Sequence, residues 1–204
     1  MIKARHHWFY TKFFRWYIPF MLNRHFRRVI IKGDIRGHSR PVLLVGNHFS
    51  WWDGFFAHHL NKQVFKRRFH VMMLEEQLQS RMFLNKAGAY SIRKNSPSVI
   101  ETIQYTRELL RNPDNLVTLF PQGEIRSMFD FPVRFEKGPV RMLRGMEDKV
   151  QIVFMAALVD YFSHPKPTLT LALGEYHPRG GVSLEDMEKA FNDHLRQMIH
   201  EQKP

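Results

Sequence analysis

Residues 41–53 read Pro-Val-Leu-Leu-Val-Gly-Asn-His-Phe-Ser-Trp-Trp-Asp. The unbroken apolar run Val42 to Val45 has no alternate polar position, so it describes a strand covered on both faces. Gly46 ends it, and a helix is expected from Asp53 onward. Further strands read at Phe69 to Met73, Ala89 to Ile92, Leu116 to Phe120, Ile152 to Val159 and Thr168 to Leu173. Helical stretches fall near 75–86 and over 97–111, the latter opening at Pro97 behind Ser96 as cap. In the tail, Leu184, Met187, Phe191, Leu195 and Met198 recur at helical spacing behind a capping Ser183. Strands alternating with helices predict an α/β domain with a largely parallel central sheet flanked by helices.

Ahead of that domain, residues 1–33 carry Lys3, Arg5, Lys12, Arg15, Arg24, Arg27, Arg28 and Lys32, and the first acidic residue is Asp34. Aromatic residues are interleaved with them: Trp8, Phe9, Tyr10, Phe13, Phe14, Trp16, Tyr17 and Phe20. Rings favour the headgroup level of a bilayer and Lys and Arg are drawn to anionic lipid. Residues 1–33 therefore read as a membrane-interfacial arm, with one or two helices over 6–28 broken near Pro19. A helix packed on the domain is the alternative. No apolar run reaches the roughly 20 residues of a membrane span, and no signal peptide is expected. Residues 34–204 form the one remaining domain.

Over the whole chain 31 Lys+Arg face 19 Asp+Glu, a formal charge of +12, and the pI near 10.2 predicts an anionic partner. With 204 residues and 44% hydrophobic content the chain can bury a real core. Its lack of cysteine excludes a disulfide scaffold, a thiol nucleophile and thiolate metal ligation.

In open α/β sheets ligands sit beyond the carboxyl ends of strands. There the first strand is followed by Asn47, His48, Ser50 and Asp53. Within one regular helix His48 and Asp53 would point about 140° apart, so they meet only across a turn, with Asp53 at the helix start where negative charge is favoured. Asp53 can then accept the Nδ1–H of His48, leaving Nε2 as a general base; a surface loop with an incidental histidine is the alternative that the spacing alone leaves open. Asn47 and Ser50 read as turn formers or hydrogen-bond donors. Phe120-Pro121-Gln122-Gly123-Glu124-Ile125-Arg126-Ser127 follows another strand, offering a tight turn and a cation for phosphate or carboxylate. Arg93 and Lys94 end a third. One base and two cationic turns suit a phosphorylated substrate bearing a hydroxyl.

These blocks resemble the glycerolipid acyltransferase superfamily, and specifically the bacterial 1-acyl-glycerol-3-phosphate (lysophosphatidic acid) acyltransferases. The family's Asn-His-x-Ser-x-x-Asp is matched by Asn47, His48, Ser50 and Asp53. Its Phe-Pro-Glu-Gly-Thr-Arg-Ser is approximated by Phe120, Pro121, Gln122, Gly123, Arg126 and Ser127, with Gln122 for Glu and one extra residue, so that Glu124 or Ile125 stands for Thr. Its second block is matched loosely by Gly88 to Lys94, Arg93 standing at the usual Asp and Lys94 at the usual Arg. Phe135 to Gly138 and Ile152 to Leu158 resemble the segments that follow. The resemblance implies transfer of a fatty acyl group from acyl-CoA or acyl-carrier protein to a lysophospholipid hydroxyl, in phospholipid biosynthesis at the cytoplasmic face of the cell membrane. His48 and Asp53 would be catalytic. Asn47, Ser50, Arg93, Lys94, Pro121, Gln122, Gly123, Glu124, Arg126 and Ser127 would bind substrate, Arg126 with Arg93 or Lys94 holding acceptor phosphate. The resemblance implies no cofactor beyond the thioester co-substrate and no metal.

His58 and His59 lack the i, i+4 spacing of a metal face. Trp51 and Trp52 read as walls of an acyl channel, as membrane contacts or as packing residues. The departures in the second and third blocks keep another acceptor open, an amino-acid lipid or a glycosylated pigment. A basic module binding single-stranded nucleic acid is the rival from another class, but it has no need of His48 and Asp53 at their spacing.

Overall fold

The structure, a computed structural model, describes residues 1–35, 39–178 and 180–204. The chain runs through α1 (Trp8–His25), β1 (Arg28–Lys32), β2 (Val42–Gly46), α2 (Asp53–Leu60), β3 (Arg68–Leu74), α3 (Glu75–Gln79), α4 (Met82–Asn85) and β4 (Ala89–Ile92). It continues through α5 (Val99–Leu109), β5 (Asn115–Leu119), α6 (Gly138–Leu143), β6 (Gln151–Asp160), β7 (Thr168–Tyr176) and α7 (Leu184–His200). The seven strands form one sheet in the order β1-β7-β6-β2-β5-β3-β4. Every neighbouring pair is parallel except β6–β7, so the sheet is largely parallel as expected.

β2 lies between β5 and β6 and is buried throughout. Leu43 and Val45 enter a core shared with α6 and α7, through Val140, Met142, Met187 and Phe191. Val42 and Leu44 enter the opposite core with Phe14, Ile18 and Leu22 of α1 and Phe56 and Leu60 of α2. Two-sided burial is why the strand reads as a continuous apolar run. Ser183 caps α7 as expected, its hydroxyl accepting from Asp186 N at 3.0 Å.

Four local expectations change. First, α1 does not break at Pro19. A proline costs a helix about 3 kcal/mol and removes the donor for the carbonyl four residues back. Here Lys62 Nζ supplies that donor, reaching Arg15 O at 3.0 Å. Phe14, Ile18, Leu22 and Phe26 bury a stripe worth ~1.5–3 kcal/mol per side chain, more than the proline costs. Second, Arg28–Lys32, read as part of the arm, is edge strand β1 paired with β7. Third, the stretch near 75–86 is two short helices. Ser80 Oγ donates to Gln77 O at 2.9 Å at the end of the first, a local bond that competes with helix continuation. Fourth, α5 opens at Val99 rather than Pro97, because Ser96 Oγ accepts from Ser98 N in a preceding turn.

Residues 2–7 run past β4, the end of α4 and β3: Ser91 N donates to Ile2 O at 2.9 Å, Arg5 N to Asn85 O at 3.1 Å, and His6 reaches Phe69 O at 2.9 Å. His6, His58, His59 and His70 are held below the usual histidine value, burial being the largest cause for each. For His58 the value falls to about 4, and for His70 to about 3. As pH drops below 6.5 the unfolded chain takes up these protons and the folded chain does not, so stability present above 6.5 is lost toward 4. Thermal melts should therefore move down between about pH 7 and about pH 5. His58→Gln should reduce that dependence, leaving the share of the other buried histidines.

Candidate active site

β2 and β5 run side by side with Val45 opposite Leu119, so their carboxyl ends deliver the loops beginning at Asn47 and Phe120 to one place. His48 stands in the first loop and Asp53 is the first residue of α2. Their side chains meet at 2.7 Å, His48 Nδ1 to Asp53 Oδ2. The same oxygen accepts the N–H groups of Phe49 at 2.8 Å and Ser50 at 2.9 Å. The turn the spacing requires is therefore tied around the carboxylate itself.

Asp53 has no exposed surface, and its other oxygen, Oδ1, has no partner among the described residues. Burial pushes its carboxyl above the usual value, against the lowering effect of the hydrogen bonds from His48, Ser50 and Phe49. Nδ1 bears the proton when Asp53 accepts it, which leaves the lone pair on Nε2. That nitrogen has no hydrogen-bond partner among the described residues. The imidazole lies flat against Phe120, centroids 4.5 Å apart at 18°. Such a dyad can take a proton from a hydroxyl and return it to a leaving group.

The other motif residues divide by what they touch. Asn47 is buried, and its amide clamps Ala157 of β6, accepting from N at 2.8 Å and donating to O at 2.9 Å. Ser50 is a turn former, its hydroxyl accepting from Trp52 N at 2.9 Å. Pro121 O accepts from Glu136 N, and buried Gln122 accepts from His48 N at 2.6 Å. The amides of Asn47 and Gln122, expected at substrate, are committed to backbone. Gly123 takes a left-handed φ of 69°, and its N–H closes the turn onto Phe120 O at 3.1 Å. Its N–H is thereby spent within the turn, whereas those of Glu124 and Ile125 have no bond among the described residues.

Of the two second-block cations, Lys94 reaches this turn. A Cβ placed on Gly123 would lie 2.6 Å from its Nζ, and Glu136 faces the same ammonium at 3.6 Å. Arg93 turns instead to buried Glu75, which also accepts from Ser91 Oγ at 3.0 Å. Arg126 gives its backbone N–H to His48 O at 3.0 Å, but its guanidinium pairs with Glu124 and Asp130. Ser127 accepts from Phe129 N in a separate turn. Glu75 and Glu136 were missed by sequence reasoning, since nothing local in either residue marks its cationic partner. Among the described residues no group of three or more His, Cys, Asp and Glu is placed to hold a metal.

A family model described as Acyltransferase matches residues 25–157, both loops included. The chain belongs to the acyltransferase family. Among solved structures, the 1-acyl-sn-glycerophosphate (LPA) acyltransferase PlsC from Thermotoga maritima is similar at a TM-score of 0.63 and 16% identity, over 95% of this chain and 80% of that one. At that identity the likeness establishes a shared fold. No curated protein matches the sequence. Family membership makes the chain an acyltransferase and sets the nucleic-acid-binding reading aside.

The raised carboxyl of Asp53 makes its ionised form a cost to folding, one that grows as pH rises through its folded value. Asp53→Asn removes that cost while leaving His48 without an anionic partner. The variant should melt no lower than wild type at neutral pH, by circular dichroism, and should lose about 10²-fold or more in turnover. Its melting advantage should shrink as the pH falls into the carboxylate range.

Proposed function

We propose that this acyltransferase moves a fatty acyl group from acyl-CoA or acyl-carrier protein to the hydroxyl of a lysophospholipid, with 1-acyl-glycerol-3-phosphate as acceptor, in phospholipid biosynthesis. The observation that carries the reading is the His48–Asp53 pair with Nε2 open. Nε2 removes the hydroxyl proton as the oxygen attacks the thioester carbonyl. Collapse of the tetrahedral intermediate expels the thiolate, which takes the proton back from the imidazolium. The products are an ester and a free thiol, and no acyl-enzyme is required. Lys94 beside Gly123 is the cation best placed to meet an anionic acceptor.

One observation favours a second acceptor. Arg93, Arg126 and Lys94 all carry carboxylate partners, Glu75 for the first, Glu124 with Asp130 for the second and Glu136 for the third. A headgroup of mixed charge, such as that of an amino-acid lipid, would suit such paired charges better than a phosphomonoester. Acyl transfer to a panel of lysolipids in mixed micelles, with both thioester donors, distinguishes the two. His48→Ala should lower turnover by about 10²–10⁴-fold on whichever acceptor is used. Undiminished transfer by that variant would sink the mechanism.

The reading also places the enzyme on the cytoplasmic face of the cell membrane as a peripheral or monotopic protein. No helix among the described residues is long and apolar enough to cross a membrane. One side of α1 nevertheless leaves Trp8 68% and Trp16 65% exposed, with Phe9, Phe13 and Phe20 beside them. Ring contacts carry this surface through Tyr17 and Phe55 to exposed Trp51, in the loop between His48 and Asp53. An aromatic surface ending in the loop that carries His48 supports a bilayer presenting the acceptor to that loop. Trp8→Ser with Trp16→Ser should abolish co-sedimentation with anionic liposomes and leave the melting temperature unchanged.

A further inference from the structure

The parallel pairing of β2 and β5 stops at Val45 and Leu119, and three residues further along each chain a side chain joins the two loops. Oε1 of Gln122 accepts from His48 N at 2.6 Å, and its Nε2 approaches His48 O at 3.4 Å as a donor. Opposed residues of antiparallel strands exchange N–H and C=O bonds in this two-point way. A side-chain amide offers the same donor and acceptor pair. On the other flank Asn47 makes the equivalent two-point contact with Ala157 of β6. The loop leaving β2 is thus clamped by an amide on each side. Only the Gln122 clamp acts on the backbone of the base itself.

We propose that Gln122 is the positioning residue of the catalytic base: its buried, uncharged amide sets the backbone of His48, and with it the aim of Nε2, without touching substrate. The proposal rests on reading His48 as the base. Three other contacts constrain His48: the Phe120 ring and Asp53 Oδ2 on its imidazole, and the Arg126 N–H on its carbonyl oxygen. None of them engages the His48 N–H, so Gln122 is its partner among the described residues. A carboxylate at this position could accept that N–H, but its second oxygen would face the His48 carbonyl. An amide satisfies both groups and adds no charge beside the dyad.

The test pairs a structural readout with a kinetic one in the full chain, comparing wild type with Gln122→Met and Gln122→Glu. By NMR, the His48 amide proton should exchange with solvent at least about tenfold faster in Gln122→Met, a variant of similar length without an acceptor. In acyl transfer the same variant should lose about 10–100-fold in kcat, as expected for a displaced catalytic group, with both KM values within about twofold of wild type. Gln122→Glu keeps the shorter bond and should fall between the two, in exchange and in kcat. Unchanged His48 exchange in a folded Gln122→Met would overturn the proposal. So would a rise in acceptor KM at constant kcat, which would make Gln122 a substrate contact. Wild type without acyl transfer on any acceptor would remove the proposed function, and the exchange measurement would still decide whether Gln122 holds His48.

Discussion

Asp53 is a carboxylate stripped of water that accepts three hydrogen bonds through one oxygen, from the His48 ring and from two successive backbone N–H groups. Taking a carboxylate out of water is expensive, and burial outweighs these bonds in setting its protonation. The surrounding fold is arranged so that it is held anyway. It opens α2, where the helix favours negative charge. It folds the loop around itself, so that the two N–H groups compensating its charge belong to residues lying between it and the base. Without that constraint, five residues of separation would leave His48 and Asp53 facing apart.

The remainder of the site is a set of supports for the same ring. β5 ends beside β2, and its loop brings the Phe120 ring, the Gln122 amide and the Arg126 N–H to His48. β6 holds the preceding residue through Asn47 and Ala157. Several residues whose types suggest ligand contacts are therefore spent on holding the catalytic loop. The side chain left closest to the Gly123 turn is Lys94, where the absence of a Cβ lets the ammonium approach the backbone.

α1 answers to two environments. Its inner stripe, Phe14, Ile18 and Leu22, belongs to the core with α2 and β2, while Trp8, Trp16 and Phe20 remain outside it. The helix packed on the domain is what the inner face shows, and the outer face leaves its aromatic rings exposed. Continuity across Pro19 depends on Lys62, which replaces the missing donor from a neighbouring element. The exposed rings are thereby held rigidly to the element that presents Asp53.

Much of this was legible in the sequence because its causes are local. Apolar runs buried on both faces marked β2 and β5, Ser183 marked the start of α7, and the motif resemblance singled out the His48–Asp53 pair that its spacing alone left open. Arg28–Lys32 escaped because its basic ends resemble the arm, and only pairing with β7 makes it a strand. The unbroken α1 escaped because the ammonium of Lys62, 47 residues beyond Arg15, satisfies the carbonyl that Pro19 leaves open. Gln122 and His48 are 74 residues apart, and Arg93 is drawn from the turn by Glu75, 18 residues back. The sequence alone determined most of the helices and strands and the family resemblance that marks the dyad, since each rests on near-neighbour geometry or on short motifs. Only the tertiary structure decided which motif residues grip the base and which cations remain near it, because strand order and register choose the partners of residues far apart in the chain.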